Sequence, residues 1–180
     1  MRSQFLLNIR RGFLVMVVFF VLLGLAYPLV ETGIGQAFFS HQANGSLTPN
    51  GSTLIGQTWT GPKWFQGRPD AYNPMATGGT NLGPRSKTLV KDVKKQIAIL
   101  KKEGITPTPD LVTTSGSGVD PDIAPVDAYA QVDAVAKARG LPVSVVRHLV
   151  ATHIHPAQFG FLGSPYIDVL QLNQALAKLS

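Results

Sequence analysis

Gly12 to Val30 reads GFLVMVVFFVLLGLAYPLV, nineteen consecutive residues without a charge. As an α-helix this run spans roughly 28 Å, close to the ~30 Å hydrocarbon core of a bilayer. The apolar region of a cleavable signal peptide is shorter, about 7–15 residues, and ends in a small-x-small cleavage site. Here the run passes through Pro28 into Glu31-Thr-Gly-Ile-Gly with no Ala-x-Ala motif. No polar face interrupts it, as a buried helix of a water-soluble domain would require. It therefore reads as a retained membrane anchor. Arg2, Arg10 and Arg11 precede the run and only Glu31 lies close behind it. The positive-inside rule then predicts a single-pass chain of the plasma (inner) membrane. Residues 1–11 form a short cytoplasmic N-terminus, 12–30 a transmembrane helix, and 31–180 one extracytoplasmic domain. Within the span, close packing on other helices is most favourable around Gly24.

Cysteine is absent, which excludes a disulfide framework, thiolate metal sites and a cysteine nucleophile. Charged residues are 14% of the 180, against about 25% in ordinary soluble domains. The net charge of +6 is segregated: Lys63 to Gly104 carries nine basic and three acidic residues, while Ile105 to Ala136 carries five aspartates and no base. Such runs ordinarily form solvated faces. An extracytoplasmic domain has no nucleic acid to meet, so that partner class is excluded whatever the pI.

Beyond the anchor, His41 to Ser52 is polar and rich in Gly, Asn and Pro and reads as a linker or mobile loop. Asn44-Gly-Ser and Asn50-Gly-Ser within it fit the glycosylation sequon. Thr53-Leu-Ile-Gly-Gln57 reads as a short strand, and Gly61 to Pro84 shows neither helix nor strand period. A structureless loop of that length inside a domain tends to be functional. From Pro84-Arg-Ser-Lys87 a helix is expected, with Leu89, Val93, Ile97 and Leu100 on one stripe, lysines elsewhere and Gly104 as its stop. Asp110 to Thr114 reads as strand-like and Ser115 to Pro125 as a second loop. Helices follow at about 125–139, with Gly140 as stop, at about 142–152, and at 169–179 behind an Asp168 N-cap. The fold class is α+β: one N-terminal transmembrane helix, then a single α-rich domain with a few short strands.

Ser115-Gly-Ser-Gly with Asp120 admits two enzymatic readings. A nucleophile elbow, G-x-S-x-G, fails because Thr113 stands where the first glycine belongs. Phosphate cradling in a P-loop fails because the lysine of GxxxxGK[ST] is missing. His148, His153 and His155 cluster in sequence, but no carboxylate lies between His148 and His153, which fall on different helix faces. No metal site is assigned. Trp59, Trp64 and Phe65 serve equally as an exposed aromatic patch or as core.

The chain carries, in order, Leu54-Ile-Gly-Gln, Phe65-Gln-Gly-Arg-Pro69, Tyr72-Asn, Ala76-Thr-Gly-Gly-Thr-Asn-Leu-Gly-Pro84, Asp110-Leu-Val-Thr-Thr-Ser-Gly-Ser-Gly-Val-Asp-Pro121, Ile123-Ala-Pro125, Ala138-Arg-Gly-Leu141, Gly160-Phe-Leu-Gly163 and Val169-Leu-Gln-Leu-Asn-Gln-Ala-Leu176. This ordered set resembles the C-subunit (KdpC) family of the bacterial Kdp potassium-transporting P-type ATPase. The resemblance implies a subunit that is not itself an enzyme, within an ATP-driven, high-affinity K⁺ uptake complex. Its implied partners are a channel-like potassium-binding subunit, a P-type ATPase subunit and membrane lipid. It also implies a role in assembly and as a catalytic chaperone that raises the ATPase subunit's affinity for ATP. No cofactor is bound tightly, and ATP and K⁺ act at the level of the complex. An outer domain exerts such an effect by stabilising one conformation of the complex. The chain departs from the family pattern at Arg85-Ser-Lys87, at Asp122 where histidine is common, at His153-Ile-His155 and at Ser164.

Candidate partner-binding residues lie in the two glycine-rich loops: Phe65, Gly67, Arg68, Pro69, Gly78, Gly79, Asn81, Leu82 and Gly83, with Ser115, Gly116, Ser117, Gly118, Asp120 and Pro121. Arg68, Asn81 and Asp120 each offer several directional hydrogen bonds, and their glycine neighbours permit close backbone approach. The expectation is that these loops order each other or contact the channel-like subunit near its outer mouth; no residue is assigned as catalytic. A different class of function is a membrane-anchored extracytoplasmic serine hydrolase using Ser115 or Ser117 with a histidine. A ligand sensor is disfavoured, since eleven residues ahead of the span are too few for an output domain.

Overall fold

A computed structural model describes residues 2–179 and divides them into two units, one ending at Leu47 and the other beginning at Thr48. The first is essentially one rod. Helix α1 (Arg2–Val21) runs through a π-helical turn at Leu22–Ala26 into α2 (Tyr27–Phe38). The widened turn has a local cause. Pro28 has no N–H, and its ring would collide with the carbonyl of Gly24 in an unbroken α-helix. The Tyr27 N–H instead reaches back to the Leu22 carbonyl. The apolar stretch Gln4–Phe38 is 35 residues long with no buried side chains, roughly 52 Å of helix. The helix thus extends well beyond the uncharged run at both ends.

Residues 41–52, expected as a linker or mobile loop, contain the division between the two units and carry short local structure. Helical turn α3 (Ser40–Ala43) is followed by the ladder of β1 (Leu47–Thr48) and β2 (Gly51–Ser52). The Asn44 and Gln36 side-chain amides exchange two hydrogen bonds at 3.2 Å, and the Thr48 hydroxyl donates to the Gly51 carbonyl at 2.6 Å. The strand expected at Thr53–Gln57 does not form; the chain turns there. The Gly56 N–H donates to the Val119 carbonyl, but the segment joins neither of the two described strand ladders.

Helix α4 (Lys87–Lys102) begins at Ser86, whose hydroxyl accepts from the Leu89 N–H, and the chain leaves it through Gly104 at φ 76°. The expected strand at Asp110–Thr114 is instead the single turn α5 (Pro109–Val112). Pro109 sits at its start, where a missing N–H costs nothing, and the Thr113 hydroxyl donates back to the Pro109 carbonyl at 2.8 Å. Strand β3 (Asp122–Ile123) leads into α6 (Pro125–Arg139). The Asp127 carboxylate reaches back to the Ala124 N–H at 3.0 Å, and left-handed Gly140 closes the helix. Helix α7 (Val143–Thr152), strand β4 (Ile167–Asp168) and α8 (Val169–Ala177) complete the domain. β3 and β4 are antiparallel, with Asp122 opposite Asp168 and Ile123 opposite Ile167. Asp168 caps α8 as expected, accepting from the Gln171 N–H at 2.8 Å.

The core lies where α6, α7 and α8 meet. Ala128, Val132 and Val135 pack with Val146, Val150, Leu172 and Leu176, and Phe65 from the first long loop completes the cluster. A smaller cluster joins Leu100 of α4 to Ile105, Leu111 and Ala134. Trp59 and Trp64 are half-buried against the main core, 5.0 Å apart, and the Arg139 guanidinium lies 4.3 Å over the Trp64 ring. The aromatic group is therefore the edge of the core.

Candidate functional site: two interlocked loops

Loop 61–84 has no regular structure, yet both of its ends are fixed. Near its start, two buried amides treat its backbone as a neighbouring strand would. Asn173 of α8 accepts the Phe65 N–H at 2.9 Å and donates to the Phe65 carbonyl at 2.8 Å. Gln131 of α6 does the same for Gln66, at 2.7 and 3.0 Å. Each amide sits on an apolar helix stripe, Gln131 between Ala128 and Val135 and Asn173 between Val169 and Leu176. Both are fully buried, so these bonds replace the water that the groups lost. The Gln66 side chain in turn donates to Glu103 at the end of α4.

Arg68 forms an ion pair with Asp110 at 3.0 Å, and its other guanidinium nitrogen reaches the Thr113 hydroxyl and the Thr114 carbonyl at 3.4 and 3.5 Å. Its carbonyl accepts the Tyr72 hydroxyl at 2.7 Å. Gly67 is needed for that contact, since a Cβ there would stand 2.5 Å from the Tyr72 oxygen. Burial and the nearby Asp70 and Asp120 carboxylates push the Tyr72 phenol upward, so it stays a donor.

Asp70 is the keystone between the loops. Its carboxylate accepts the Ser115 N–H at 2.7 Å, the Ser115 hydroxyl at 2.5 Å and the Asp120 N–H at 3.2 Å. Within the second loop, the Ser115 oxygen accepts the Gly118 N–H at 2.9 Å and lies 3.2 Å from the Ser117 hydroxyl, which accepts from Val119. The loops also touch backbone to backbone. Gly78 N–H donates to the Ser117 carbonyl at 2.6 Å and Tyr72 N–H to the Gly118 carbonyl at 3.1 Å. A side chain would disturb this approach: a Cβ on Gly118 would lie 2.8 Å from the Gly78 oxygen and force the loops apart, and one on Gly79, at 3.2 Å from the Gly116 oxygen, would need a shift of the neighbouring loop.

The remaining candidates continue the same surface. Asp120 accepts the Asp122 N–H, and the Pro121 carbonyl accepts from Val169 at the head of α8. Pro69 and Leu82 line a 240 Å³ groove with Leu89 and Val93 of α4. Gly83 turns the chain into α4 by accepting the Ser86 N–H. Asn81 is exposed at φ 54°. Asp70, Tyr72, Gln131 and Asn173 were absent from the sequence-derived set. An amide on an apolar helix stripe was the available signal for the last two.

The hydrolase constellation does not assemble. Ser115 gives its proton to Asp70, and among the described residues neither the Ser115 nor the Ser117 hydroxyl bonds a histidine. His153 bonds the Leu149 carbonyl at 2.8 Å, His155 stacks on Tyr166 at 4.9 Å, and His148 is exposed. Among the described residues no three His, Cys, Asp or Glu side chains gather as a metal site. Asp122 has an unusual environment: burial, then Asp168 opposite and Asp120, raise its carboxyl to about 6 against the pull of His155.

The family described as "KdpC: K+-transporting ATPase, c chain" matches residues 9–178. A potassium-transporting ATPase KdpC subunit of Caulobacter vibrioides is 45% identical, over 94% of this chain and 92% of its own length. The KdpC subunit of Burkholderia ambifaria is 49% identical over 89% and 93%, and that of Geobacter sulfurreducens 44% over 96% and 98%. On this coverage the chain belongs to the KdpC family.

Proposed function

We propose that the chain is an accessory subunit of an ATP-driven potassium uptake complex and catalyses no step by itself. The observation that carries this reading is the family match along residues 9–178. The loop geometry agrees with it, because Ser115, the candidate nucleophile, is spent on Asp70, which also holds the Asp120 amide. That makes a shaped, preorganised surface rather than a reaction centre. In this reading the apolar helix anchors the chain with its N-terminus in the cytoplasm and residues 31–180 outside. The interlocked loops dock on the channel-like subunit. Any gain in ATP affinity at the P-type subunit then arises because the bound chain favours one conformation of the complex.

The test is affinity purification of the tagged full chain from membranes of potassium-starved cells in mild detergent. Recovery of a large polytopic subunit together with a P-type ATPase is expected. Recovery of the chain alone would overturn the proposal.

A further inference from the structure

Lys87, Lys91, Lys94, Lys95, Lys101 and Lys102 are all exposed on α4. At 3.6 residues per turn they fall within one arc of about 120°, along roughly 24 Å of helix. The arc contains no acid and no arginine; the only other residue in it is Ala98. The opposite stripe faces the domain, with Leu100 fully buried and Leu89 and Val93 in the groove beside Pro69 and Leu82. Among the described residues none of the six lysines is in an ion pair, so no carboxylate holds them. Val90 and Ile99, at the margins of the arc, are 46% and 38% exposed.

We infer that this lysine face rests on the anionic phospholipid headgroups of the membrane that the N-terminal helix enters. The inference rests on the membrane placement proposed above. Charge complementarity gives the attraction, at about five-fold in favour of contact per lysine near an anionic surface. Residue type favours lipid over a protein socket. Protein interfaces are enriched in arginine and depleted in lysine, because a guanidinium fork fixes a directional pair and a flexible ammonium does not. Six lysines and no arginine suit a fluid array of phosphates. The anchor keeps such headgroups at high effective concentration.

Ala98 has Lys94, Lys95, Lys101 and Lys102 as its helical neighbours, and the chain has no cysteine. Ala98→Cys therefore gives a unique label at the centre of the face. The full chain carrying a donor fluorophore there is placed in nanodiscs with headgroup acceptors, either phosphatidylcholine alone or with one third phosphatidylglycerol. Co-purification with the neutral discs reports the anchor independently of the face. Energy transfer is expected to rise in the anionic discs and to return to the neutral value at ~1 M salt, where the screening length is about 3 Å. Adding K91Q, K94Q, K95Q and K101Q is expected to lower the bound-to-free ratio on the order of a hundredfold or more. Equal transfer in the two lipids overturns the inference, as does a rise that the four substitutions leave intact. A rise in neutral discs that requires the other subunits also overturns it and assigns the face to a protein.

Discussion

The side-chain amide of Gln131 pairs with both backbone groups of Gln66, accepting its N–H at 2.7 Å and donating to its carbonyl at 3.0 Å. A helix side chain thereby does the work of a missing strand, and a long loop acquires a fixed starting point. Gln131→Leu preserves size but strands two buried backbone groups. Its expected cost is about 2–4 kcal/mol, read as a lower melting temperature of the full chain in detergent. A melting temperature equal to that of the parent would show that this pairing does not hold the loop.

Asp70 is expected to act on the second loop rather than on its own. In Asp70→Ala, the amides of Ser115 and Asp120 lose their acceptor. Hydrogen exchange at these two positions should accelerate at least tenfold, while the amides of α6 keep their protection. Uniform acceleration across the domain would instead make Asp70 a general stability residue.

Two glycines in the same loop should answer differently to alanine. Gly118 lies at φ 70°, and its added Cβ would stand 2.8 Å from the Gly78 oxygen; Gly118→Ala is expected to cost on the order of 2 kcal/mol or more. Gly116 has open space around the same position and no positive φ, so Gly116→Ala should melt within about a degree or two of the parent. Equal melting temperatures for the two variants would contradict the close approach of the loops.

The fold was legible where one local rule decides an element. Ser86, Gly140 and Asp168 mark helix ends by caps that need only their neighbours, and the α4 stripe shows in the spacing of Leu89, Val93, Ile97 and Leu100. Residues 53–57 and 110–114 depart from the expectation because β-branched residues favour a strand only within a ladder, and neither segment joins one of the two described ladders. The site was half legible. Glycines and polar residues marked both loops, but the bonds from Asp70 span 45 and 50 residues, and nothing in the residues around Asp70 announces such partners. Gln131 and Asn173 were overlooked because a polar residue on an apolar stripe breaks the pattern that identifies the helix.

Acidity should stabilise the domain through Asp122. Its folded-state carboxyl titrates near 6, raised by burial and by Asp168 and Asp120, above the ~3.9 of an unfolded chain. The folded state therefore binds the proton more tightly. Stability is expected to rise as pH falls through about 6 and to be lost as pH rises through it. Melting curves between about pH 7 and pH 5 check the sign. Asp122→Asn, which removes the titrating group, should flatten the slope, and a parent that loses stability over this interval would contradict the assignment.

In the proposed assembly the interlocked loops dock on a membrane-embedded partner. Thr77 is exposed beside Gly78, and Thr77→Cys in this cysteine-free chain accepts a photo-crosslinker at one place only. Irradiation of native membranes from potassium-starved cells is predicted to give one adduct with a polytopic subunit. An intact complex that yields no adduct from position 77 would show that the loops do not dock there.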